Sequence, residues 1–167
     1  MANCVHKGVE GIGVGNCMPE NPIYFTQISI PELVTIPEQK PDMEQLLSVM
    51  VDAKVKSVRA ADTCIAYSYE GQNLSGQKLI VEIQLLQKIK YVADEPTQSI
   101  HAAHFEKCIN SIFIVVPCHI NGISVKTLLD HNKVVVKPYI EDIFAQMRNK
   151  RDIFKNITLL LDVNFIK

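Results

Sequence analysis

The sequence predicts an all-β chain: an antiparallel β-sandwich, jelly-roll-like, entered through an extended glycine-rich N-terminal arm. Three observations carry this. Two long stretches alternate apolar and polar residues with the period of two that a half-buried strand requires. Turn chemistry recurs between apolar runs, at Asp94-Glu95-Pro96-Thr97 and at Asn121-Gly122. Secure helical periodicity is scarce, so sheets must bury most of a composition that is 47% hydrophobic over 167 residues.

The arm comes first. Met1 to Pro22 holds four of the seven glycines (Gly8, Gly11, Gly13, Gly15) and two of the five cysteines (Cys4, Cys17). Glycine at this density raises the entropy cost of ordering the backbone, so the segment does not fold alone. The single apolar residues between the glycines suit an extended strand that docks onto something else, with Val9, Ile12 and Val14 as the docking side chains. Residues 1–22 are thus expected to be a flexible, cysteine-bearing connector, and residues 23–167 the body.

Within the body, Ile23 to Pro41 carries Pro31, Pro37 and Pro41, which restricts it to short edge strands and loop. Asp42 is placed to cap one helical turn through Glu44 and Gln45. Leu47, Val49, Val51, Ala53 and Val55 then alternate with polar neighbours as a strand, which Arg59 to Asp62 ends, and Tyr67 to Gly76 reads as a loop. The strongest strand signal is Gln77 to Ala93, where Leu79, Val81, Ile83, Leu85, Ile89, Tyr91 and Ala93 share one parity. Gln98 to Cys108 returns as its hairpin partner, and Ile112 to Val116 is a separate short core strand. Residues 138–147 are ambiguous. Tyr139, Ile140, Ile143, Phe144 and Met147 fall at helical spacing, and the same letters alternate acceptably as a strand from the β-branched Val134 to Val136; Pro138 bars a helix from continuing through it, and the local pattern favours a helix after it. Arg148 to Lys155 reads as a polar turn and Ile157 to Ile166 as the closing strand.

A formal net charge of −1 leaves no electrostatic footprint for nucleic acid or an anionic membrane. No apolar run approaches the roughly 20 residues of a membrane span, and no basic segment followed by an apolar run marks a secretory signal. Candidate chemistry is sparse. His101, His104, Cys108 and Cys118 are ligand types for zinc. Positions 101 and 104 of a strand point to opposite faces, however, and paired CxxC spacing is absent, so no metal or other cofactor is expected. The same geometry argues against a Cys–His nucleophile at Cys118-His119. Gly8 to Gly15 lacks the lysine and preceding strand of a phosphate loop, and Glu141-Asp142 reads as a solvated face. No catalytic residue and no enzymatic activity are expected. What remains is cross-linking: an odd thiol count suits pairing between chains, with Cys4, Cys17, Cys64, Cys108 and Cys118 as candidates, and it equally suits a spare cysteine buried as a small hydrophobe.

Three runs then bear on family: LVTIPEQKPDMEQLLSV (Leu33–Val49), GQNLSGQKLIVE with LQKIKYVADEPTQSIHAAHF (within Gly71–Phe105), and VKPYIEDIF with RDIFKNITLLLDV (within Val136–Val163). They resemble the SPOCS domain of spore-forming Firmicutes, in the same order and over nearly everything except the arm. The resemblance implies a β-rich domain of spore coat or exosporium assembly without enzymatic activity, and a strand at 138–147. It also implies synthesis in the mother-cell cytoplasm and a final place on the endospore surface. The architecture, a free-standing domain with a cysteine-bearing arm, is similar in design to spore appendage subunits. The function expected is therefore a self-assembling structural protein of coat, exosporium or appendage filament, its arm docking on and disulfide-linking to neighbouring copies. Its partners would be itself and other coat proteins. The alternative is a soluble coat-assembly adaptor that binds a morphogenetic protein without polymerising.

Overall fold

The computed structural model describes residues 2–15, 17–64, 66–67, 69–70, 73–74 and 77–166. It is mostly β. Strands β1 (Ala2–His6) and β2 (Val9–Val14) open the chain, followed by β3 (Tyr24–Thr35) and the 20-residue β4 (Met43–Asp62). Two-residue strands β5 (Ala66–Tyr67) and β6 (Asn73–Leu74) pair within the stretch read as a loop, part of which lies outside the described residues. Next come β7 (Gln77–Ala93), β8 (Ile100–Val116), the short pair β9 (His119–Ile120) and β10 (Ile123–Ser124), helix α1 (Val125–Asp130), β11 (Val134–Met147) and β12 (Asp152–Phe165).

Among the described residues, the larger sheet has the order β1-β2-β4-β7-β8 and a second has the order β11-β12-β3. Neighbours are antiparallel except β2 and β4, which run parallel over Glu10↔Ser48 to Ile12↔Met50. Both sheets feed one core. Val49, Val81, Ile83 and Ile114 come from the first, and Ile30, Ile143, Ile157 and Leu161 from the second. Each such aliphatic side chain stabilises the fold by about 1.5–3 kcal/mol when fully buried.

The parity of β7 holds along its whole length, with odd positions buried from Gln77 to Ala93. In β4 it does not, because extra residues at Glu44, Leu47 and Lys56 bulge the strand against β7. The last bulge moves the inward positions from Val55 to Val58 and Ala60, and so extends the strand past the expected end. A bulge at Asn110-Ser111 joins Gln98–Cys108 and Ile112–Val116 into the single strand β8, correcting the expectation of two. The helical turn expected after Asp42 is also corrected, since Met43 already pairs with Ala93. Residues 138–147 are strand, which corrects the helix that local spacing favours after Pro138; Pro138 sits in β11 on the sheet edge, where a missing N–H costs no ladder bond. Pro31 is tolerated in edge strand β3 for the same reason, and β3 is one 12-residue strand where short ones were expected. β12 begins within the expected polar turn. The helix lies instead at 125–130, where Ser124 Oγ accepts from the Thr127 N–H at 3.1 Å and Val125 and Leu128 are buried.

The glycine-rich segment departs most from expectation. It is a hairpin docked on its own chain, not an extended connector. Lys7 and Gly8 turn it with positive φ at both positions, the backbone of a two-residue hairpin loop, as Asn121 and Gly122 do between β9 and β10. β2 pairs with β4 on one side, and the Gly15 N–H donates to the Ile140 carbonyl of β11 at 2.9 Å. The hairpin thus continues the larger sheet past β4 and meets β11 of the other sheet along one flank.

Candidate functional site

The glycines make this docking possible. Gly13 has φ +121°, and a Cβ there would overlap the Val51 carbonyl oxygen of β4. A Cβ on Gly11 would lie 2.5 Å from Cys4 Sγ and 2.9 Å from Ile143 Cβ. The absent side chains let β1 and β2 approach β4 and β11 at backbone distance. Val9 and Val14, expected to fill a neighbour's pockets, pack against their own core, and Ile12 is half-buried beside β4.

The five cysteines are unpaired within the chain. Cys17, Cys64 and Cys108 are exposed, while Cys4 and Cys118 are half-buried. Cys4 turns inward: its Sγ lies 3.5 Å from the Ile143 carbonyl oxygen and 3.8 Å from that of Gly11. Cys108 stands on the outer face of β8 beside Glu106, its Sγ 3.7 Å from Oε1.

His101 and His104 do not meet a common ligand. His101 stacks on Tyr91 at 5.9 Å between ring centroids and shares a hydrogen bond of 3.0 Å with Ser99 Oγ. His104 is exposed on the opposite face of β8, and Cys118 lies beyond the strand. Among the described residues, three metal-capable donors converge elsewhere, at Cys4, His6 and Asp142, within 4.8 Å of one another. Alternate residues of β1 put Cys4 and His6 on one face. The bulge at Glu141 turns Asp142 toward them, and His6 Nε2 meets Asp142 Oδ1 at 2.7 Å. Phe144 packs against the His6 ring at 5.8 Å. Residue order alone hides this group, because its members are 136 or more positions apart across β1 and β11.

The opposite flank is open. β3 ends one sheet and β8 ends the other, and a groove of about 390 Å³ runs between them. Ile28, Ile30 and Pro31 line one wall, and Ile109, Ile112 and Phe113 the other. Phe113 is 56% exposed and Val115 46% exposed beside it. A long strand edge rimmed by exposed apolar side chains is a template for another strand. Comparison with known protein families, with curated proteins and with solved structures returned no match.

Proposed function

We propose that the chain is a β-sandwich subunit of a self-assembling structural protein of the spore surface. The sandwich reading is supported by the single core that the two sheets share; since β4, β7 and β8 follow one another as a meander, it does not include a jelly-roll order. The observation that carries assembly is the asymmetry of the flanks. The N-terminal hairpin covers one, whereas β8 leaves a 17-residue strand at a sheet end beside an apolar groove. The occupant is a second copy. Its β1, the other end of the larger sheet, adds to β8 and continues the sheet from subunit to subunit. Such a contact joins unlike surfaces and need not close, so it propagates a filament. Exposed Cys17, just after the hairpin, and exposed Cys108 on β8 are the thiols that this docking would link. The spore-surface setting rests on the SPOCS-like runs of the sequence.

Electron microscopy and size-exclusion chromatography of the purified protein test this under reducing and oxidising conditions. Filaments or large species are expected, locked under oxidation and lost in Phe113→Lys, which places a charge on the groove wall without touching the core. A protein that stays monomeric or dimeric in both conditions overturns self-assembly and favours the adaptor. Filaments unchanged by Phe113→Lys overturn the groove as their contact.

A further inference from the structure

We infer that Cys4, His6 and Asp142 form a binding site for a borderline divalent transition-metal ion, of which zinc is the type. The site does not depend on self-assembly. A tetrahedral ion holds sulfur at about 2.3 Å and nitrogen or oxygen at about 2.0–2.2 Å, so its ligand atoms lie roughly 3.5 Å apart. Here an Sγ, an imidazole nitrogen and a carboxylate oxygen already lie within 4.8 Å of one another, and an ion would replace the 2.7 Å hydrogen bond between His6 and Asp142, opening that pair while the sulfur draws in. Their chemistry matches the same ions: thiolate, imidazole and carboxylate together suit zinc and cobalt, whereas magnesium and calcium take oxygen sets. Charge balances as well. Binding replaces the Cys4 S–H proton, which passes to solvent, and thiolate plus carboxylate then neutralise a dication beside neutral His6.

Positioning is built into the fold. Strand period sets Cys4 and His6 side by side, the Glu141 bulge re-aims Asp142, Gly11 makes room for the sulfur, and Phe144 holds the imidazole ring. His6 and Asp142 keep 39% and 38% side-chain exposure, so an ion has an entry path and a fourth position open to water. Three residues from two strands of different sheets would be tied by one ion, which fastens the N-terminal hairpin to β11. A bound ion would also shield the Cys4 thiol.

Cobalt(II) replaces spectroscopically silent zinc in the test. Full-length reduced protein is titrated anaerobically with cobalt, and the sulfur-to-metal charge-transfer band and visible d–d bands are recorded. One equivalent with a tetrahedral-type spectrum is expected. Cys4→Ser, which keeps the size and β1 backbone, should abolish the charge-transfer band; His6→Ala and Asp142→Asn should weaken binding by more than the roughly 10–100-fold that loss of an outer-shell partner costs. Cys17→Ser and Cys108→Ser should leave the spectrum unchanged. In parallel, iodoacetamide labelling of each cysteine is followed by mass spectrometry, which reads the wild type alone. Zinc, but not magnesium, should protect Cys4. Absence of stoichiometric binding, a band that survives Cys4→Ser, or zinc protection confined to other cysteines overturns the site.

Discussion

Lys155 is the residue on which the interior is least forgiving. It occupies an inward position of β12, fully buried, directly opposite Glu32 of β3. Its ammonium donates to Glu32 and to Gln87 Oε1, and Gln87 Nε2 donates to Glu32 at 3.1 Å, so three inward-facing polar residues from both sheets satisfy one another. Burial pulls Lys155 below the usual lysine range, against the opposing hydrogen bond to Glu32. Burial pushes Glu32 up, but the hydrogen bonds from Lys155 and Gln87 and the charge of Lys155 outweigh it and hold the carboxyl below its ordinary value. Glu32→Ala strands the ammonium and should cost about 3–5 kcal/mol in chemical denaturation, whereas Glu32→Leu/Gln87→Leu/Lys155→Met should be far milder. Because Glu32 binds protons less readily folded than unfolded, its contribution is complete above pH 4.5 and disappears as pH falls through the folded value. Denaturation midpoints measured from pH 6 down to 3 should therefore fall more steeply in the wild type than in that triple variant.

At the scale of elements, the hairpin β1–β2 and the connection between β3 and β4 are held in contrasting ways. The connection is tied by Arg151, whose guanidinium donates to the Ile36 and Pro37 carbonyls at 2.9 and 2.8 Å and to Asp42 Oδ1 at 2.6 Å. The hairpin depends on close backbone approach. Gly13→Ala combines a positive φ with overlap on Val51 and should cost about 1–3 kcal/mol, spent on undocking the hairpin. Limited proteolysis should then cleave within residues 1–15 at protease levels that leave wild type intact, while the rest of the chain survives; simultaneous loss of the whole fold would contradict a separately docked hairpin. Elements with clean alternation were legible in the sequence, β7 most of all, because its odd positions face one core along 17 residues. Bulges were not. The extra residues at Lys56 and Ser111 change the parity of β4 and β8, and single-sequence period counting reads such a shift as a strand end. The arm misleads for a related reason: its glycines read as freedom, while Gly11 and Gly13 serve close contact with β11 and β4. Lys155 likewise reads as the end of a polar turn, whereas it is an inward position of β12 opposite Glu32.

For the molecule as a whole, the two flanks differ in what they leave to solvent. One is covered by the hairpin and the other exposes the β3 and β8 edges with about 390 Å³ of apolar groove. If copies associate there, folded protein is stabilised by mass action, and the thermal midpoint should rise with protein concentration under reducing conditions. A midpoint unchanged over a hundredfold concentration range would count against association through native surfaces. Phe113→Lys should flatten the dependence. This open flank was only partly visible in sequence. Thr26 to Pro31 and Lys107 to Phe113 are some 80 positions apart, and only the sheet order brings their edges to one groove. The Cys4–His6–Asp142 group was invisible for the same cause.

The distance between the hairpin and its partners has a further effect, in time. Residues 2–14 are translated well before their neighbours Ile140, Asp142 and Ile143, which are made more than 120 residues later. At about 5–20 residues per second, that interval is roughly 6–25 s. Throughout it the newborn segment has no β11 to lie against, and the Cys4 sulfur is bare. Docking of the hairpin on β11 is therefore a late step, which waits for the last third of the chain to be made.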